Sequence, residues 1–556
     1  HLAMNYIYII EINILCSLRS QRRKTMPSHI LTIEPILTAE ETSLLDSFCA
    51  EHTGIENLPE IATFLREKLS TELILEPDII EGFASDSSNL PGQADALARP
   101  RSERECAAVL RACHIAGIPV TLSGGKSNLT GSATPQGGIL LSTVNLTTPE
   151  ADLNTETRTV STAPGIIIED LRTSVVKQSG GTLCFPVDPT SRAEASVGGS
   201  IACNCSGFTP GETGAFRSWL QSIRFLLPDG RLIQAERGQY ISENGAFQLG
   251  DTPWPVPRYV RPDIKNAGGP FSAPDGVMDF IDLIVGSEGI FGLVTACTLK
   301  LAKRPEAFLD IFFSLPGEAE ALRLLAAVET ARNGDLSGLS GFEYFGINAR
   351  QYMKHEDRFF QGDDTVGIYI QEPLFGRDEL EAAEGWLERL AEAELDIDED
   401  AMILLDSESL QTLFMEARHS MPANALEVVQ QRNAFTLMTD TVVPSEKFAE
   451  FLAFTHDLLN TKKLDYLSFG HLGDCHLHFT LLPHKEQIET AVEAYDAIVA
   501  KSAELGGVYS GEHGTGKRKR KDFLCCYGEE AIEQLRASRA AVDPDSLLNR
   551  GNVFEN

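Results

Sequence analysis

Apolar residues recur at helical spacing between Glu40 and Leu75, with Ala62, Leu65 and Leu69 among the periodic positions, and this predicts a helical segment. A polar approach containing Gly and Pro follows from Asp86 to Pro100. Ser102 then opens a second helix over 102–116: its hydroxyl can cap the first turn, Glu103 and Glu105 suit a helix N-terminus, and Gly117 can close it. Two short apolar runs, Ile118 to Leu122 and Gly138 to Ser142, read as strands on either side of a glycine-rich loop. Strands, turns and helices alternate to about Leu301, where Lys303-Arg304-Pro305 marks a change. From Ala307 to about Leu505, strand-like segments such as Leu309 to Phe313 alternate with long acidic helices such as Asp378 to Leu395, the pattern of an α+β unit. Residues 506–556 are glycine-rich and then helical, and no internal repeat is evident.

Three glycine segments exceed what packing needs: Ser123-Gly-Gly-Lys-Ser-Asn-Leu-Thr-Gly131, Pro186 to Gly207, and Gly286-Ser-Glu-Gly289 with Gly292 beyond it. Glycine lets backbone N–H groups approach an anion, and Ser123, Ser127 and Asn128 add side-chain polarity, a combination that suits a diphosphate. Strands flank the first loop on both sides, so it lacks the strand-to-helix setting of a Rossmann fingerprint, and Lys126 does not make a Walker loop. Taken alone, the loop fits an ordinary β-turn equally well.

At 556 residues the chain should form two to four units with large cores, and its 43% hydrophobic and 23% charged residues suit a folded enzyme. Its net charge of −33, from 80 acidic against 47 basic residues, opposes nucleic-acid binding. The basic run Lys517 to Lys521 is expected to be solvated surface, with an anionic partner or a cofactor phosphate as the alternative. Eleven Cys without C-x-x-C repeats exclude a cysteine-held iron–sulfur cluster and fit a reducing compartment: cytoplasmic, peripheral to a membrane or mitochondrial, and not secreted. The apolar stretch Tyr6 to Leu18, interrupted by Glu11, is too short to span a bilayer, so residues 1–30 are expected to be a frayed or non-native leader.

Three of the 12 histidines cluster in Gly470-His471-Leu-Gly-Asp474-Cys-His476-Leu-His478, and another lies in Gly511-Glu512-His513-Gly514. Two imidazoles and a carboxylate can hold zinc or a similar divalent ion with positions left open, and such an ion lowers the pKa of a bound hydroxyl. His476 and His478 should share a strand face, with the turn at Gly473 bringing His471 back toward them. Glu512 and His513 would point to opposite faces of a straight strand unless Gly511 and Gly514 bend it. Asp474 is expected to orient a histidine or the turn.

The segments Pro100 to Glu105, Ser123 to Gly131, Pro186 to Gly207, Leu227-Pro-Asp-Gly230 and Gly286 to Gly289 closely resemble the FAD-binding domain of the vanillyl-alcohol oxidase and p-cresol methylhydroxylase superfamily. The histidine and Gly511-Glu-His-Gly motifs resemble its 2-hydroxy acid branch, which contains D-lactate dehydrogenase, the glycolate oxidase flavin subunit and D-2-hydroxyglutarate dehydrogenase. The resemblance implies an α+β fold, a two-subdomain FAD-binding domain of the p-cresol methylhydroxylase type with an α+β substrate (cap) domain. The corresponding divisions are an N-terminal helical segment 31–97, the FAD domain 98–304, the cap 305–505 with the metal motif, and a segment 506–556 returning to the FAD domain.

It further implies non-covalent FAD contacted by Ser123, Gly124, Gly125, Lys126, Ser127, Asn128, Pro186, Asp188, Ser196, Gly198, Gly199, Asn204, Ser206, Glu288, Val294 and Asn549. The implied metal ligands, for zinc or else manganese or iron, are His471, His478 and Glu512; His513 is the implied base and Arg418 the carboxylate-binding residue. The expected reaction oxidises a 2-hydroxy acid such as lactate or glycolate, in the D configuration, to the 2-oxo acid, with hydride passing to flavin N5. A quinone, cytochrome, electron-transferring flavoprotein or oxygen would then accept the electrons, and a homodimer is compatible. The alternatives are a transferase like alkyl-dihydroxyacetone-phosphate synthase and a non-catalytic electron-relay subunit. This chain departs from the family in two places. Cys475-His476 stands where the family more often has Gly-Asn, and Met438 stands where the dicarboxylate branch has Lys.

Overall fold

The computed structural model describes residues 26–555, save Asp363, Asp396 and Asp398; the expected leader falls largely on residues 1–25, outside that range. Pairing begins at Ser28, which bridges to Tyr240, and continues at Ile30–Leu31, so the folded chain starts before residue 31.

A four-stranded sheet orders Leu73–Ile74, Ala96–Ala98, Ile139–Ser142 and Val120–Ser123, with the last three strands parallel. The helix Glu103–Ala116 packs on it as its caps predict: the Ser102 hydroxyl accepts from Glu105 N, and Gly117 ends the helix in the left-handed region. Val109 and Leu110 are at most 1% exposed, and each such burial stabilises the fold by about 1.5–3 kcal/mol. The expected helical stretch 40–75 is two helices, Ala39–Glu51 and Leu58–Leu69. Gly54 breaks it at φ 85°, where its N–H leaves the helix to meet Ala116 O.

A six-stranded antiparallel sheet follows, in the order Ile33–Glu34, Leu232–Glu236, Leu220–Leu226, Leu293–Lys300, Thr159–Thr162 and Asp152–Asn154. The short helices Val197–Cys203 and Phe280–Ile284 share its core.

Beyond Ala307 an eight-stranded antiparallel sheet is built around Ala307–Leu315, Val366–Leu374, Gly341–Phe345, Tyr466–His471 and His476–Leu481. Alternation along its strands divides two jobs. Phe342, Tyr344, Leu477 and Phe479 face a core shared with the helices Glu318–Ala331, Glu379–Glu392, Ser445–Thr461 and Ile488–Glu504. On the opposite face Phe312, Phe345 and Phe469 pack beneath the helix Glu408–Gln431, and the histidines lie beside them.

The chain then returns to the first half. After the helix Arg520–Ala540, Leu548 pairs in parallel with Val120, and Asn549 N donates to Val120 O at 2.8 Å, so this segment covers the edge strand Val120–Ser123. All ten described cysteines are free, and among the described residues no helix is long and apolar enough to cross a membrane.

Candidate active site

One cavity of about 470 Å³ runs from residues 123–128 to His471, Glu512 and His513. At its first end the walls are backbone and small side chains. A Cβ on Gly124 would overlap Ser196 Oγ, and one on Gly125 would overlap the Glu194 carbonyl oxygen, so the loop lies directly on the turn that starts the helix Val197–Cys203. Ser196 Oγ ties the two together by accepting from Gly125 N (3.1 Å) and Gly199 N (3.3 Å). Gly199 lies against the loop, and Gly198, Asp188, Ser206, Glu288, Val294 and Asn549 also line the cavity. An elongated, glycine-walled cleft of this kind suits a dinucleotide cofactor. Pro186, Ser196 and Asn204 stand outside the lining and serve the scaffold. Asn204, in the left-handed region, accepts from Arg217 N at 3.0 Å.

Glu288 joins the two ends. Burial pushes its carboxyl pKa up despite two backbone bonds, from Thr515 N (2.6 Å) and Gly516 N (2.7 Å), which hold the 510–516 loop against the cavity. Asn549 adds a second clasp: its amide donates to Glu288 O (2.7 Å) and its carbonyl oxygen accepts from Leu122 N (2.7 Å).

At the second end, register places the donors. Glu343, His471 and His476 stand opposite one another across three strands, while His478 is two residues along from His476 on the same face. The 510–516 loop is not a strand. Gly514 turns it at φ 77°, and both Glu512 and His513 reach the cavity. Glu512 lies 3.3 Å from His471 Nε2 and 3.1 Å from His478 Nε2.

Each of the three clustered histidines has one ring nitrogen occupied by a protein acceptor. His471 Nδ1 donates to Glu343 at 2.5 Å, His478 Nδ1 to Thr439 O at 3.2 Å, and His476 Nε2 to Asp440 at 2.9 Å. In the neutral ring this leaves a lone pair on the other nitrogen, the arrangement that metal-binding imidazoles adopt. Donor atoms of His471, His476, His478 and Glu512 all fall within 4.8 Å of one another.

Burial opposes charge on His471, yet the adjoining Glu343 carboxylate outweighs it and holds the imidazole up to about 9. Burial likewise opposes ionisation of Glu512 and Asp440, but His471 and Lys265 hold the first well below the usual carboxylate range, and His513 and Lys519 hold the second. Burial keeps His476 neutral, its pKa lowered to about 3. Four carboxylates (Glu343, Asp440, Asp474, Glu512) thus face Lys265, Arg418, Lys519 and the His471 imidazolium, a balance in which a divalent ion would take the place of the His471 proton.

His513 is held as a base would be. Its Nδ1 lies 3.3 Å from Asp440, its backbone N–H donates to the same carboxylate at 3.1 Å, and its ring stacks on His478. Arg418 lies deeper, 5% exposed: it pairs with Glu343 at 2.7 Å, its Nε has no partner, and the Phe208 ring covers it at 4.3 Å. Phe208, not Arg418, lines the cavity.

Residues 94–236 match the family described as "FAD binding domain", and residues 374–553 match "FAD linked oxidases, C-terminal domain". The chain belongs to the FAD-linked oxidases. Similar relatives of this FAD-linked oxidase include D-lactate dehydrogenase of Anaerostipes hadrus (24% identical, covering 89% of this chain and 97% of that one). Others are glycolate oxidase subunit GlcD of Bacillus subtilis (25%; 83% and 89%) and D-2-hydroxyglutarate dehydrogenase of Xanthomonas citri (24%; 89% and 97%). Among solved structures, p-cresol methylhydroxylase shares the fold at a TM-score of 0.63 and 12% identity, over 94% of this chain and 99% of that one. The 4-ethylphenol oxidase of Gulosibacter chungangensis does so at 0.62 and 16%, over 95% and 99%.

Three residues of the oxidase site had no motif to announce them: Glu343, Asp440 and Lys265. Glu343 is the one acid in the apolar strand Gly341–Phe345, which is the signal that could have flagged it. Lys265, in a loop from the first half, sits 3.7 Å from Glu512 and 3.3 Å from Asp474. Asp474 holds the turn, one of the two roles expected of it: it accepts from Gly211 N at 2.7 Å and pairs with Lys265, a residue of the first half. The basic run is also not the solvated surface expected. Lys517 and Lys519 are buried, donating to Asn552 and Asp440, while Arg518 and Lys521 of the run are exposed.

Proposed function

We propose that this FAD-linked oxidase converts a D-2-hydroxy acid to its 2-oxo acid beside a divalent ion held by His471, His478 and Glu512. The observation that carries the reading is the single cavity joining the glycine loop at 123–128 to the imidazole–carboxylate cluster. Names of the relatives supply the substrate class, D-lactate, glycolate and D-2-hydroxyglutarate, at about a quarter identity. When bound, FAD supplies the two-electron acceptor for the hydrogen leaving C2, and the divalent ion supplies the Lewis acid that acidifies the hydroxyl.

The residues do the rest. Asp440 holds His513 Nδ1, which leaves Nε2 to take the hydroxyl proton. Arg418, with its Nε unpaired behind Phe208, would reach the substrate carboxylate once that ring swings aside. Phe208 and Gly207 line the cleft there. With Met438 in place of a second cationic group, a short or apolar-chain acid such as lactate or glycolate is preferred. The acceptor that reoxidises the flavin is a quinone, cytochrome, electron-transferring flavoprotein or oxygen; one relative is a mitochondrial D-lactate dehydrogenase [cytochrome] of Arabidopsis thaliana.

The test is anaerobic bleaching of the oxidised-flavin absorption band by a panel of D- and L-2-hydroxy acids, before and after chelation. Bleaching by short D-acids that chelation abolishes and zinc restores is expected. No bleaching by any acid in metal-replete protein would sink the proposal.

A further inference from the structure

Of the four side chains whose donor atoms cluster at the cavity's second end, His476 has no part in the reaction described above. It is fully buried on the strand His476–Leu481, opposite His471 in register and two residues before His478. Its Nε2–H donates to Asp440 at 2.9 Å, so its Nδ1 carries the lone pair. That Nδ1 is sealed from solvent and has no hydrogen-bond partner. A buried nitrogen lone pair without a donor destabilises the fold unless something fills the need. His471 and His478 show the same division of labour, one nitrogen tied to a protein acceptor and the other turned toward Glu512.

We propose that His476 is a fourth protein ligand, binding the divalent ion through Nδ1 and making the centre a three-histidine, one-glutamate set. The inference rests on the metal-dependent reading above and deepens it. Asp440 then has two tasks, orienting His476 as a ligand with one carboxylate oxygen and fixing His513 as the base with the other. A third imidazole also favours nitrogen-preferring ions such as zinc, cobalt or nickel over manganese.

The first measurement is X-ray absorption at the zinc edge of the intact, FAD-bound protein loaded with one equivalent of zinc, since imidazole rings give a countable scattering signature. Three imidazoles are expected; two overturn the assignment of His476 while leaving the proposed reaction standing. The second is zinc affinity of His476→Asn, by competition against a chromophoric chelator, with flavin content recorded in the same sample. Asn retains an N–H for Asp440 but lacks the ring nitrogen, so roughly 100-fold weaker zinc binding with full flavin content is expected. Unchanged affinity overturns the proposal, and if the variant sheds its flavin the count of imidazoles in the unaltered protein decides. Failure of the unaltered protein to retain any divalent ion would remove both this inference and the metal-dependent reading beneath it.

Discussion

At residues 123–128 the cavity wall consists of backbone and small side chains, whereas some way along the same cavity it consists of imidazoles and carboxylates anchored by buried partners. The first wall works by what is left out, because a Cβ on Gly125 would meet the Glu194 carbonyl oxygen. The second works by what is paired: Glu343 serves both His471 and Arg418, and Asp440 serves His476, His513, Ser510 and Lys519. Shape should therefore govern cofactor retention at one end, and charge should govern chemistry at the other. Each can be disturbed without the other.

The largest effect is expected for His513→Gln, about a 10³-fold slower rate of flavin reduction by substrate in stopped-flow, with FAD content unchanged. Equal rates would remove His513 from the chemistry. Next comes Gly125→Val: strain of about 2–3 kcal/mol should weaken FAD retention roughly 100-fold, read by flavin fluorescence after gel filtration, while zinc stoichiometry holds. If zinc were lost along with flavin, the two ends would not be separable. Asp440→Asn should slow flavin reduction by about 30-fold, because an amide NH₂ facing His513 Nδ1 favours the wrong tautomer; a simple loss of folding would instead show as lower flavin content. The smallest effect is expected for Arg418→Lys, about a tenfold rise in KM with kcat within twofold, since the planar fork is lost but the charge stays. A fall in kcat with constant KM would place Arg418 in the chemistry rather than in docking.

The same contrast explains what could be read in the sequence. The helix Glu103–Ala116 was legible because its caps are local, and the glycine loops and the histidine hairpin were legible because each motif is contiguous. The break at Gly54 was signalled locally by Gly54 and Pro59, but the apolar period on either side overshadowed it. Glu343, Lys265 and Asp440 were obscure because each earns its role from partners far along the chain: His471 is 128 residues from Glu343, and Lys519 is 79 from Asp440. For Asp474 the hold on the turn was legible but its partners were not. Its position among histidines suggested a local bond, and the backbone N–H it accepts lies 263 residues away. The lysine run was misread because charge density alone does not say which ammonium groups the fold encloses.

The clasp between Leu122 and Asn549 also bears on how this chain comes into being. The two residues are 427 positions apart, so the parallel strand Val120–Ser123 emerges from the ribosome long before the segment that covers its edge. At a synthesis rate of about 5–20 residues per second, that edge waits on the order of 20 to 85 s for its cover. During that interval the nascent chain presents an open strand to its neighbours, which makes this the stage of biogenesis at which chaperone binding and early flavin supply would decide the yield of active protein.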